Sequence, residues 1–217
     1  MVSSDEPHYF NQLHRLPIIG IIAAVGFLTI ATYRYSGDAH WSRVTVSMLC
    51  AAELPNGAPN SGRGLPVAAL LLLCASMALL FELVSWTANT RGMRKTIQIA
   101  GIGSMVYALL TATPMHNLMV NVALAFFLVA NTAIILLLYR TQRYELAIAG
   151  IFCILLKLGS VSMYYTDAYV EIWGIMQKVS FSLTTIWLFA VLLLTKSKAN
   201  FPAADVKGTP SPSQESK

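Results

Sequence analysis

Pro66-Val67-Ala68-Ala69-Leu70-Leu71-Leu72-Leu73-Cys74-Ala75-Ser76-Met77-Ala78-Leu79-Leu80-Phe81-Glu82-Leu83-Val84-Ser85-Trp86-Thr87-Ala88 is the stretch that decides the fold. Its one acidic or basic side chain is Glu82. It lacks the two-residue alternation of a barrel strand and is about twice as long as such a strand needs to be. As a helix rising about 1.5 Å per residue it is long enough to cross the roughly 30 Å hydrocarbon layer. A helix satisfies its own backbone N–H and C=O groups, which lipid cannot do. The stretch therefore predicts a membrane-spanning helix.

The rest of the chain repeats this pattern. Hydrophobic residues make up 56% of the sequence and charged residues 12%. A soluble domain carries about 25% charged residues, so this chain has too little polar surface to cover a water-facing globule. The mean hydropathy of +0.60 agrees. Such a composition excludes a disordered chain, a disulfide-rich secreted module and an ordinary cytosolic enzyme. Six apolar runs, near 17–33, 66–88, 97–113, 118–139, 146–165 and 172–195, predict an all-α polytopic bundle of six transmembrane helices. The third is the shortest and ends at Thr113-Pro114, where proline stops a helix.

The formal charge is +5, but the basic residues fall in short clusters between apolar runs, unlike a nucleic-acid-tracking groove. Arg91, Arg94 and Lys95 separate spans two and three, Arg140 and Arg143 separate four and five, and Lys196 and Lys198 follow span six. The positive-inside rule makes that side cytoplasmic and puts both termini there. The expected layout is a cytoplasmic segment 1–16, a six-helix domain 17–195 with an outer loop at 34–65, and a disordered cytoplasmic tail 196–217. The first apolar run also resembles a signal peptide. Its long leader with Asp5 and Glu6 and a single basic residue favours an uncleaved span. In the outer loop, Trp41 to Leu54 could form a short interfacial helix, and residues 55–62 carry turn chemistry. Cys74 and Cys153 lie inside apolar runs as packing residues, whereas Cys50, in the loop, could be a reactive thiol or an inter-chain bridge.

Ionisable residues inside spans cost about 2.5–3.5 kcal/mol each on insertion scales, so they direct attention to function. Lys157 and Lys178 fall at similar depths, about 10–12 Å below the outer surface on neighbouring spans. His116 opens the fourth span there, with Asn117 and Asn121 one turn apart. Together these residues outline an outer-leaflet polar pocket for an anionic lipid headgroup or a carboxylate. The competing reading has each lysine snorkel to the headgroups or pair with Asp167 or Glu171. Glu82 reads as a protonated, hydrogen-bonded intramembrane acid, with a stretched pair to Lys157 as the alternative. Ala100, Ser104, Ala108 and Ala112 form a small-residue stripe on span three for close helix packing, within the chain or between copies.

No phosphate-binding glycine loop, nucleophile elbow or zinc-protease helix motif occurs. With four histidines, of which only His116 approaches the bilayer on a helix, neither a metal nor a haem site is expected.

Gly101-Ile102-Gly103-Ser104-Met105, then Thr113-Pro114-Met115-His116-Asn117, then Val122-Ala123-Leu124-Ala125-Phe126-Phe127, together with Ser180-Phe181-Ser182-Leu183 and Trp187, carry a family resemblance. The chain resembles the superfamily joining fibroblast-growth-factor-receptor-activating protein, the damage-regulated autophagy modulators and Sfk proteins, and within it a microbial branch of unknown function. The resemblance implies a small integral membrane protein without established catalysis, some of whose eukaryotic relatives act in lipid remodelling, lipid asymmetry or autophagy. Among this chain's residues it points to His116 alone. The expected function is to bind or organise membrane lipid, or a membrane protein partner or second copy, without a cofactor. A small transporter or channel, an accessory subunit of a membrane complex, and a hydrolase using His116 with Ser160, Ser162 or Ser182 are the competing readings.

Overall fold

The computed structural model describes residues 15–35, 43–54, 56–113, 115–166 and 169–199. Most of the N-terminal segment (with His8 and His14), His40, Trp41, Pro114, Asp167 and the tail from residue 200 lie outside the described residues. Among the described residues are seven helices: α1 (Arg15–Arg34), α2 (Val46–Cys50), α3 (Gly64–Ser85), α4 (Arg91–Leu110), α5 (His116–Arg140), α6 (Tyr144–Thr166) and α7 (Val170–Ala199). They contain no strand beyond a single bridge between Glu53 and Pro59.

Five helices, α1, α3, α5, α6 and α7, are long and apolar enough to cross a membrane. The missing one is α4. Its first turns carry Arg91, Arg94 and Lys95, so its apolar part begins only at Ile97 and leaves about 14 residues, or about 21 Å. At its start, Thr90 caps the helix by accepting from the Met93 N–H, which satisfies one of the donors a helix N-terminus leaves open. Helix α7 continues to Ala199, past the end expected near 195.

Helix α3 packs against α1, α4 and α7, α4 against α5, α5 against α6, and α6 against α7. Helices α3 to α7 therefore close a ring of five, and α1 lies outside it on α3 and α2. One end of the ring is basic: Arg143 donates to the Leu194 carbonyl at 3.2 Å, tying the α5–α6 turn to the late part of α7. At the opposite end His116, Tyr164 and Trp173 meet.

The basic half of the ring is solid. Leu80, Phe81, Ile97, Ile134, Leu138 and Leu188 are completely buried. Two glycines allow this packing. A Cβ on Gly101 would run into the Phe81 ring, and one on Gly150 into the Trp187 indole. Lipid offers no hydrophobic drive between helices, so such close packing is itself the source of cohesion. Ala100 and Ser104 of the small-residue stripe are buried in the α4 seams, and Ala108 and Ala112 pack partly buried against the core. The outer surface is the reverse of a soluble protein's: Ile19, Ile22, Ile99, Ile148, Leu155 and Ile186 are each at least 60% exposed. Apolar exposure on this scale fits lipid contact.

The loop between α1 and α3 is folded. Thr45 caps α2 by accepting from Met48 N–H at 3.2 Å. The Asn60 amide donates to the Leu49 and Ala51 carbonyls at 3.1 Å each, turning the loop back on itself. Gly57 supplies the positive φ of 79° at the tip. Where an interfacial helix was expected over 41–54, the described part contains only the five-residue α2, with Leu49 and Cys50 buried.

Candidate functional site

The non-basic half of the ring is hollow. A cavity of about 190 Å3 lies there, lined by all the helices except α1. Its rim is formed by α2 (Val46, Ser47, Cys50) with His116, Tyr164 and Trp173. Its walls are mainly apolar: Leu70 and Leu73 from α3, Met105 and Ala108 from α4, and Val120, Ala123 and Leu124 from α5. Toward the solid half stand Met77, Phe127, Lys157, Phe181, Thr184 and Thr185.

Among the described residues, Lys157 is the one acidic or basic side chain lining this space besides the imidazole of His116. Its Nζ lies 3.5 Å from the centroid of the Phe181 ring and 5.8 Å from that of Phe127. Among the described residues no carboxylate pairs with it; the ion pair between Arg43 and Glu171, at 2.6 Å, is at the surface. The direction follows from helix geometry. Side chains lean toward the N-terminus of their helix, and α6 begins at the basic end. Lys157 is thus aimed away from the rim, toward the cavity floor, and the ring faces take the place of water around its ammonium. Snorkelling to the nearer surface is not the arrangement adopted.

The hydroxyls around it divide into engaged and open. Thr184 donates to the Ser180 carbonyl at 2.7 Å, Thr185 to Phe181 at 2.8 Å, and Ser104 to Gly101 at 2.7 Å. Ser160, buried one turn beyond Lys157 on the same helix face, lines the cavity with no hydrogen-bond partner among the described residues. At the rim, His116 Nδ1 is 2.7 Å from the Thr111 carbonyl. A carbonyl only accepts, so Nδ1 carries the hydrogen and Nε2 is left for another partner. Among the described residues His116 makes no hydrogen bond to a hydroxyl, the contact that acyl transfer would require.

The structure does not assemble the pocket outlined from sequence in full. His116 and Lys157 share the cavity, but Asn117, Asn121 and Lys178 do not line it. The two asparagines serve the α5–α6 seam: Asn117 Oδ1 accepts from Tyr164 Oη, and Asn121 Oδ1 accepts from Tyr165 Oη at 2.8 Å. Their carbonyl oxygens are committed to tyrosine donors. On α7 the cavity face is centred on Trp173, Gln177, Phe181 and Thr184, and Lys178, one residue past Gln177, is turned about 100° from it. Glu82 is in the solid half, where its Oε1 accepts from Trp86 Nε1 at 2.9 Å and its Oε2 is buried without a partner among the described residues. The Arg94 guanidinium stacks 3.2 Å from the centroid of the same Trp86 ring. The stretched Glu82–Lys157 pair is not formed.

Gln177 was not singled out from sequence. Its Oε1 accepts from the Val46 N–H, the first backbone donor of α2, at 3.2 Å. With the Arg43–Glu171 pair it fastens α2 over the cavity. Asn131 was also missed. It is completely buried on α5, donates to the Phe127 carbonyl at 2.7 Å and leaves its Oδ1 unpartnered among the described residues. An amide in the middle of the apolar 118–139 run, ten residues past Asn121, was its only signal.

Cys50 faces the cavity from α2. Burial pushes its thiol up to about 11, with the nearby Arg63 charge opposing the shift. No group of three metal-ligating side chains occurs among the described residues.

Fold and site define a class: an all-helical bundle, five of whose helices are long and apolar enough to cross a membrane, with an internal cavity closed at one end. No family model, curated protein or solved structure matches the chain.

Proposed function

We propose that this chain is a six-span integral membrane protein with both termini on the cytoplasmic side, and that it holds a lipid-like amphiphile in the outer half of its bundle. Helix α4 counts as the sixth span in this reading. Its basic first turn lies in the inner headgroups, and its apolar part, short by itself, is packed against α3 and α5. The clusters at Arg91, Arg94, Lys95, Arg140 and Arg143 support the orientation.

One observation carries the reading. A cavity of about 190 Å3 with mainly apolar walls has an ammonium over an aromatic ring at its floor and polar groups at its rim. Small-molecule sites have this composition, an apolar body with a few placed polar groups. An amphiphile from the surrounding leaflet matches it in both parts. The solid packing below the floor gives no onward path in this conformation, which favours holding over conduction.

The test is to fill the cavity. Ala123 lines one wall, and Ala123→Phe places a ring in the space without altering any charge. Wild-type protein released from nanodiscs is expected to retain amphiphile in native mass spectrometry, and the variant to lose it. Equal retention by both proteins would count against the cavity as the binding place.

A further inference from the structure

The charge balance of the cavity specifies its ligand more narrowly. Building on the amphiphile reading above, we propose that the ligand is a monocarboxylate bound head-first, its carboxylate between Lys157 and Ser160 at the floor and its apolar body extending toward α2.

The cavity floor holds one lysine and no carboxylate among the described residues, so its ammonium form has no counter-charge of its own. A desolvated ammonium has lost its water and recovers only part of that energy from the Phe181 ring. A ligand carrying one negative charge completes the balance. A neutral alcohol or sterol leaves the ammonium unpaired. A zwitterionic headgroup brings a second cation beside it. A doubly charged phosphomonoester leaves one buried negative charge uncompensated. The donor count points the same way. Thr184, Thr185 and Ser104 spend their hydroxyl hydrogens on backbone carbonyls, so Lys157 and the open Ser160 hydroxyl are the donors left on that face. Two donors one helical turn apart on one face of α6 suit the two oxygens of a carboxylate.

Orientation follows from the walls. Above Lys157 the cavity is bounded by Leu70, Leu73, Met105, Val120 and Leu124, an environment for hydrocarbon. Size follows from volume. A cavity of about 150 Å3 accommodates benzene, so this one holds an apolar body on the order of six to eight carbons. A longer chain would have to leave through the rim.

The experiment uses the full chain in nanodiscs, with decanoate, decanol and decyl phosphate as probes of equal chain length, read by native mass spectrometry. Decanoate is expected to be retained at least about tenfold better than the other two. Lys157→Met should reduce decanoate to the level of decanol, and Lys157→Arg should preserve the preference. Equal retention of decanoate and decanol, tighter retention of decyl phosphate, or an unaltered preference in Lys157→Met would overturn the carboxylate assignment while leaving the amphiphile reading standing. Retention of none of the three would defeat both.

Discussion

The Trp187 indole on α7 donates from Nε1 to the Leu146 carbonyl on α6 at 2.7 Å, and its ring crosses α6 at the bare Cα of Gly150. This contact locks the last two helices together on the solid side of the bundle. Gly150→Ala must displace both the rigid indole and Ile135. It is expected to cost about 1–3 kcal/mol, the usual range for forcing extra volume into a packed core. Trp187→Phe in the same background makes room and should recover part of that loss, at the expense of the hydrogen bond. Thermal unfolding of single and double variants in detergent measures both effects.

Five of the six apolar runs read from sequence return as helices long and apolar enough to cross a membrane, because length and composition belong to each helix alone and can be read without knowing the neighbours. It does not show which face of α7 turns inward. Lys178 and Gln177 are adjacent, both polar and at nearly the same depth, and only the positions of α3 and α6 decide that Gln177 faces the cavity. Asn117 and Asn121 mislead for a related reason. Their tyrosine partners lie more than forty positions away on α6, so a pair that stitches a seam resembles free donors in the linear chain. Lys157 stands out in the sequence as an ionisable residue within an apolar run, but its geometry is not legible there. Its aim at Phe181 depends on α7 lying alongside α6.

At the basic end, Glu82 has one side-chain donor among the described residues, Trp86 Nε1. Glu82→Gln keeps the acceptor and is expected to leave stability within about 0.5 kcal/mol. Trp86→Phe strips the carboxyl of its partner and should cost about 1–3 kcal/mol. A large loss in Glu82→Gln would mean that the carboxylate itself is required. Denaturation in mixed micelles compares the two.

Helix α2 is fastened at two points of unequal value. The Arg43–Glu171 pair is half or more exposed at both side chains, so Arg43→Ala should change stability by less than about 0.5 kcal/mol, and less still in high salt. Gln177→Leu removes the acceptor for the first N–H of α2 and should accelerate amide exchange over Val46–Cys50. Exchange mass spectrometry distinguishes the two, and equal acceleration by both variants would contradict the ranking.

Cys50 is expected to be slow to alkylate. With its thiol pushed up to about 11 by burial, roughly one in a thousand is ionised at pH 8, and the thiolate is the nucleophile. Iodoacetamide labelling of the folded protein should stay low through pH 9 and climb above pH 10. The sign for stability follows. In the unfolded chain the thiol ionises from about pH 9, before its folded counterpart, so its contribution is full below that pH and is lost as pH rises toward 11. Rapid labelling at pH 7.4 would show instead that α2 opens freely.

The central claim is a membrane bundle whose cavity end and basic end face opposite compartments. Single cysteines at Ala58, in the α1–α3 loop, and at Gln142, in the α5–α6 turn, test it in a variant lacking the three native cysteines. In sealed, right-side-out vesicles an impermeant maleimide should label the residue at 58 directly and the residue at 142 only after permeabilisation. Labelling of both before permeabilisation would contradict the account.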